Sequence, residues 1–122
     1  MIDLPIFSIL NSTPAVTSLL RSGNILRVFE YGMAIENVKL QYVVWQVISG
    51  VPYNTLNCPP STDKVRVQFD VYAGTGSQSK SIAKLVRDAI EEQCYIIDMY
   101  GTHQDTDGVY ATQFDTSWHV SR

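Results

Sequence analysis

The chain has 122 residues, enough for one domain with a sizeable core, and 45% of them are hydrophobic and 17% charged. The formal net charge is −3 and the nine Lys and Arg residues do not cluster, which argues against a charge-driven nucleic-acid binder. No apolar run approaches the ~20 residues that a membrane-spanning helix needs, and the N-terminus, MIDLPIFSIL, lacks the basic segment and cleavage site of a secretory signal.

Two helices are predicted first. The apolar stretch LPIFSILNS predicts one or two helical turns, and TPAVTSLLRSG carries the signals of a complete helix. Thr13 suits the N-cap, Pro14 the first helical position and Gly23 the left-handed residue after the helix end. The i, i+3, i+4 spacing predicts a buried stripe of three residues, Val16, Leu19 and Leu20.

Two strands are predicted next. ILRVFEYG alternates loosely and predicts a strand that ends at Gly32, and LQYVVWQVIS, rich in Val, Ile, Tyr and Trp, is the strongest strand candidate of the chain. A strand that is apolar on both faces is covered on both. We therefore expect it to lie centrally, with helices on one side and with protein or a partner subunit on the other. Its predicted faces are Leu40, Tyr42, Val44 and Ile48 on one side and Val43, Trp45 and Val47 on the other.

The segment GVPYNTLNCPPSTD, residues 50–63, predicts a loop, because its Gly, Pro and Asn residues break regular elements. It is at the upper end of ordinary loop lengths, and such loops are often functional. We therefore treat this loop as a candidate functional segment.

A strand and a helix are predicted after the loop. KVRVQFDVYA alternates without interruption and predicts a half-buried strand. GTGSQSKSIAKLVRDAIEEQ predicts a helix that is capped by Ser77 or Ser79. The strand's two faces are Val65, Val67, Phe69 and Val71, and Arg66, Gln68, Asp70 and Tyr72; the helix's apolar face is Ile82, Leu85, Val86, Ala89 and Ile90.

The C-terminal part predicts a β-hairpin. CYIIDMYG and VYATQFDTSWHVS are its strands, and THQDTDG is the turn, with Asp107-Gly108 as the hairpin signal. The order of all these elements predicts an α+β fold, a mainly antiparallel sheet with helices packed on one face. We expect a single domain over residues 1–122.

One cluster of metal-ligand side chains lies in the predicted turn. His103, Asp105 and Asp107 could hold a divalent metal. The same segment is typical of a hairpin turn, in which Asp side chains bond their own backbone, and we favour the turn. The other histidine, His119, lies on the polar face of the last strand and is expected to be exposed or at an interface.

Other signatures of catalysis are incomplete. GTGSQSKS lacks both the GxxxxGK[ST] pattern of a phosphate-binding loop and the GxGxxG pattern of a dinucleotide site. No Ser or Cys has a His partner at a motif spacing, and Cys58 and Cys94 form no CxxC, so reduced thiols are expected. We therefore expect no catalytic residue, no cofactor and no bound metal, and a protein that is not an enzyme.

Several segments, taken together, resemble a known family. YVVWQVISGVPYN, followed after the loop by DKVRVQFDVYAGTGSQSKSIAKLVRDAI, resembles the small tail-completion, or tail-terminator, proteins of long-tailed bacteriophages and prophages. PAVTSLL near the start and GVYATQFDTSWHV near the end also resemble segments of that family. The resemblance covers nearly the whole chain, with the segments in the family's order.

The resemblance implies a structural role in the virion. Such proteins form a sixfold ring on the head-proximal end of the tail tube, stop tube polymerisation and present a surface to the head-side connector or stopper. The implied partners are further copies of this chain, the tail tube protein and the connector, with assembly in the host cytoplasm and no membrane. DNA is expected to pass through the lumen without specific binding, as the acidic net charge of −3 would favour.

The residues expected at the subunit or tube interface come from the long loop and from aromatic positions on two strands. Trp45 and Phe69 are expected in the core, whereas for Tyr53, Tyr72 and Trp118 core and interface both stay open. The candidate interface residues are Tyr53, Asn54, Leu56, Tyr72 and Trp118.

Two alternative functions stay open from the sequence. A neighbouring neck component, an adaptor or stopper between portal and tail, would be a ring part of similar size and composition. A small-molecule-binding or hydrolytic α+β domain would instead use a metal at His103, Asp105 and Asp107.

Overall fold

The computed structural model describes residues 4–23, 25–31, 40–52, 62–91, 95–106 and 108–121. Within those ranges, no helix is long and apolar enough to cross a membrane. The elements in chain order are α1 (Ile6–Asn11), α2 (Pro14–Leu20), β1 (Arg21–Ser22), β2 (Ile25–Leu26), β3 (Val28–Glu30), β4 (Tyr42–Pro52), β5 (Thr62–Ala73), α3 (Gly76–Ile90), β6 (Tyr95–Thr106) and β7 (Val109–Ser121).

A five-stranded sheet forms the centre of the molecule, in the order β3-β4-β5-β7-β6. The β3–β4 pair is parallel, and the other three pairs are antiparallel. Helix α3 packs on β5, β6 and β7, and α1 and α2 pack against α3. This is the predicted α+β fold with a mainly antiparallel sheet, and that prediction is confirmed.

The core lies between the helices and one face of the sheet. From Val65 to Ala73, every second residue of β5 points into it and is fully buried, as the alternation of that strand predicts. The rings of Phe69 and Phe114, opposite each other on β5 and β7, stack with centroids 5.0 Å apart. The main core residues of the three elements are Val65, Val67, Phe69 and Val71 of β5, Phe114 and Trp118 of β7, and Ile82, Ala83, Val86 and Ile90 of α3.

The α2 region differs in two details from the prediction. Helix α2 ends at Leu20 and the chain turns at once into β1, so Val16 and Leu20 are buried but Leu19 is 39% exposed. Gly23 does have a positive φ of 59°, but it lies between β1 and β2 and makes their turn instead of ending the helix. The strand predicted to end at Gly32 is split into β2 and β3, and Gly32 itself lies outside the described residues.

The N-cap of helix α3 lies two residues before Ser77 and four residues before Ser79. Thr75 is the N-cap, and its Oγ1 accepts a hydrogen bond from the Gln78 N–H at 3.1 Å. Ser77 is exposed on the first turn, and Ser79 is buried against the sheet. The predicted serine cap is therefore wrong, because the extended backbone needed at an N-cap already occurs at Thr75.

The C-terminal hairpin is longer than predicted. Strand β6 continues through THQDT to Thr106, which pairs with Val109 of β7. The connection is therefore the two residues 107 and 108, and Gly108 has the positive φ of 76° that tight hairpin turns use. The segment predicted as a seven-residue turn is mostly strand, because the long β7 offers it partners along its whole length.

Candidate assembly surface

The sheet face opposite the helices carries an aromatic pair. Tyr42 of β4 and Tyr72 of β5 are direct partners in the ladder. Their rings stack with centroids 4.8 Å apart at an interplanar angle of 20°, and both side chains are half-buried. With the half-buried Val44, they form what we call the outer patch: Tyr42, Val44 and Tyr72. Stacked tyrosines present a flat, rigid surface that loses little entropy on binding, which suits a protein contact.

Strand β4 continues beyond the outer patch with exposed apolar side chains. Val47 is 38% exposed and Ile48 is 42% exposed, and Leu40 just before the strand is 39% exposed. A β-bulge between Val47 and Ser49 breaks the alternation there. Val47 pairs with the core residue Val67, so its side chain lies on the helix side of the sheet and not beside the outer patch. Single exposed apolar residues are ordinary, whereas exposed apolar residues next to an aromatic pair are typical of contact surfaces.

The structure corrects the expected position of β4. The strand is second in the sheet, beside the three-residue β3, and is not central. Val43 and Trp45 are buried on the helix side as expected. Within this chain Val44 is only half-buried on the other side, so a partner would have to complete the predicted cover on that face.

Polar groups occupy the part of the outer face that is nearer to β7. The Arg66 Nη2 donates to Asp115 Oδ2 at 3.1 Å, with the Asp115 side chain 1% and the Arg66 side chain 42% exposed. The Gln68 amide donates to Asp70 Oδ2 at 3.5 Å. The Arg66 guanidinium neutralises a carboxylate that is almost completely removed from water.

The structure describes two of the five predicted interface residues, and these two lie on opposite faces of the sheet. Tyr72 lies in the outer patch, as described. Trp118 is 2% exposed and its indole N–H donates to Thr116 Oγ1 at 2.8 Å, so it belongs to the core on the helix side. Tyr53, Asn54 and Leu56 lie outside the described residues.

Sequence reasoning missed Tyr42 as a surface residue. The signal was present, since LQYVVWQVIS is apolar on both faces and one face had to meet something outside the helices. The partner of Tyr42 was not readable, because the pairing register of β4 and β5 depends on a long loop whose geometry the sequence does not specify.

The histidine–carboxylate cluster has no support in the described part of the chain. His103 is exposed on β6, opposite Ala111, and Asp107 lies outside the described residues. Within the described ranges no three His, Cys, Asp or Glu residues lie close enough to hold a metal ion. An open cleft beside His103 is lined by Gly76, Ser77, Lys80, Thr102, His103, Gln104 and Tyr110.

Comparison with known proteins gives one family. Residues 5–115 match the family model described as tail completion protein gp17. No curated protein matches the sequence. The matched range includes all of α1 to β6, and with them both strands of the outer patch.

Proposed function

Because the chain belongs to the phage tail completion protein gp17 family, we propose that it closes the head-proximal end of the tail tube as a sixfold ring. The ring ends polymerisation of the tube protein and forms the joint to the head-side connector or stopper. Family membership makes the protein a structural component of the phage tail. The ring, its position and its partners are the proposal.

The observation that carries the proposal is the outer patch and the apolar residues that continue it. Closed rings use heterologous contacts, in which one face of a subunit binds a different face of the next. Such contacts are enriched in aromatic side chains and depleted in charge. Tyr42 and Tyr72 provide the aromatic centre, and the exposed Leu40 and Ile48 flank them along the chain.

The proposal also covers the domain, the long loop, Trp118 and the absence of catalysis. We assign residues 1–122 to one tail-terminator-like domain, and the loop with Tyr53, Asn54 and Leu56 to a contact with a neighbouring copy or the tube. Trp118 supports the sheet from the core side instead of contacting a partner directly. The role involves no catalysis, cofactor or metal, and a net charge of −3 suits a ring through which DNA passes without binding.

The test places one negative charge in the outer patch. Tyr72→Glu should keep the fold and lower the melting temperature by no more than about 10 °C, because the side chain is only half-buried. The wild-type protein should form rings on the ends of purified tail tubes, seen by electron microscopy, and Tyr72→Glu should leave the ends bare. Gln78→Glu is the matched control, since it adds the same charge at an exposed position on α3, in the helix layer.

Two outcomes would contradict the proposal. Rings on tube ends formed equally well by Tyr72→Glu would exclude the outer patch as the contact surface. A wild-type protein that ignores tubes but binds the purified portal or connector would instead identify a neck adaptor or stopper.

A further inference from the structure

One edge of β4 is only partly paired within the described chain. Strand β3 covers residues 43–45 of β4, and the Tyr31 N–H adds a bond to the Trp45 carbonyl at 2.7 Å. Strand β4 then continues for seven more residues to Pro52, paired on its other side with β5. Among the described residues, no strand pairs with residues 46–52 on the β3 side.

The backbone groups of Val47 point toward this edge. Alternate residues of a strand direct their N–H and C=O groups to opposite neighbours. The Val43 N–H donates to the Arg27 carbonyl at 2.9 Å and the Trp45 carbonyl accepts from Tyr31, so both residues face the β3 side. Val47 is the next residue in that alternation and lies before the bulge, so its N–H and C=O face the same edge.

The charge distribution indicates what can approach this edge. Proteins usually protect an open strand edge with charged side chains, especially lysine. Residues 40–62 contain no charged side chain, the longest such stretch of a chain whose net charge is −3. Two copies of an acidic protein repel each other least where neither presents a charge. The exposed Val47 and Ile48 add apolar area at the same place.

We propose that this edge, residues 46–52, pairs with a strand of a second copy, namely the outer edge of its β6. The inference rests on the proposed ring, whose heterologous contact needs two different surfaces on opposite sides of the subunit. Strand β6 is at the far end of the sheet order, and residues 99–104 of it contain no Asp, Glu, Lys or Arg. Backbone pairing sets the direction and register of such a contact.

The pairing is short. Strand β6 has three irregularities in its ladder with β7, and β4 has its bulge after Val47. Irregular edges resist long, unspecific pairing. A pairing of a few residues leaves the rotation between subunits to the rest of the contact, and that rotation decides whether the ring closes.

The test removes one N–H from the edge. Val47→Pro should leave the β4–β5 hydrogen bonds intact, because the Val47 N–H does not face β5, and edge strands tolerate proline. It should weaken ring formation on tube ends by about tenfold or more, the effect of one lost hydrogen bond in each repeated contact. Val47→Thr, similar in shape and with its N–H intact, separates the loss of the N–H from the change of side chain and should weaken ring formation less than Val47→Pro does.

Hydrogen exchange on the wild-type protein gives a second measurement that does not depend on a variant folding. The Val47 amide should exchange quickly in the free subunit and at least about tenfold more slowly in rings on tube ends, since pairing protects amides. Amides on the outer edge of β6 should slow down in the same sample.

The outcomes separate this inference from the proposed function. Wild-type rings with unchanged Val47 exchange, or rings formed normally by a folded Val47→Pro, would overturn the inference and leave the ring intact. Protection at β4 without protection at β6 would mean that the tube protein supplies the strand, which overturns the second-copy assignment. Absence of wild-type rings would overturn the proposed function itself.

Discussion

A chain of three hydroxyl groups joins α3 to the end of the sheet. The Ser79 O–H donates to the Val71 carbonyl at 2.8 Å, so its oxygen accepts from Thr112, also at 2.8 Å. The Thr112 oxygen is then the acceptor for Thr102, at 2.7 Å. Ser79 and Thr112 are almost completely buried, and burying hydroxyls is stabilising only when they are paired. The donor order follows from the single proton that each hydroxyl carries.

Thr112→Val should destabilise the protein by about 1–3 kcal/mol, because it removes both hydrogen bonds of the central hydroxyl and leaves the side-chain volume unchanged. Thr102→Val should cost less, since Thr102 is half-buried and lies at the end of the chain of hydroxyls. Unfolding by urea measures both free energies. Equal effects of the two substitutions would show that the hydroxyls do not act as a connected set.

At the scale of elements, β4 has two environments on adjacent residues. Val43 is fully buried toward the helices, and Val44 is half-buried on the outer face, opposite Asp70. The same strand therefore contributes to the core through one face and to the proposed ring contact through the other. Because both faces of β4 need apolar side chains, the strand is apolar on its two faces and does not alternate with polar residues.

This difference predicts opposite outcomes for one substitution at two neighbouring positions. Val43→Lys buries an unpaired ammonium and should cost more than about 4 kcal/mol, a large part of the ~5–15 kcal/mol that stabilises a domain. Val44→Lys should stay within about 1 kcal/mol of wild type, with Asp70 across the ladder, and should fail to form rings. Thermal unfolding by circular dichroism and electron microscopy of tubes measure the two effects. A stable Val43→Lys would mean that the assignment of the two faces is reversed.

For the whole molecule, the uncharged stretch around β4 makes the proposed ring insensitive to salt. Raising ionic strength from about 0.1 to 1 M shortens the Debye length from about 10 to 3 Å and screens exposed ion pairs. A contact built on backbone pairing and apolar residues loses little, and the repulsion between copies of net charge −3 is reduced. Rings on tube ends should therefore persist in 1 M salt, measured by sedimentation with the tubes. Release of the protein between 0.1 and 1 M salt would indicate a contact made by charges.

Much of the fold follows from local patterns. The alternation of KVRVQFDVYA predicts the buried face of β5, and the apolar spacing in α3 predicts the residues that cover it. Pro14 and Asp107-Gly108 predict the start of α2 and the hairpin turn. The same reasoning chose the wrong cap for α3 and made the hairpin turn too long, because a cap and a strand end depend on which partners the rest of the fold supplies.

The sequence by itself determined the α+β class, the helix-facing core and the existence of an apolar strand with two faces, because periodicity alone decides which side chains share a face. Only the tertiary structure decided that β4 lies second in the sheet, that Tyr42 stacks on Tyr72, and that Trp118 turns inward while Val47 and Ile48 stay exposed. Strand order and register come from contacts between distant parts of the chain, and no local pattern encodes which strand lies beside which.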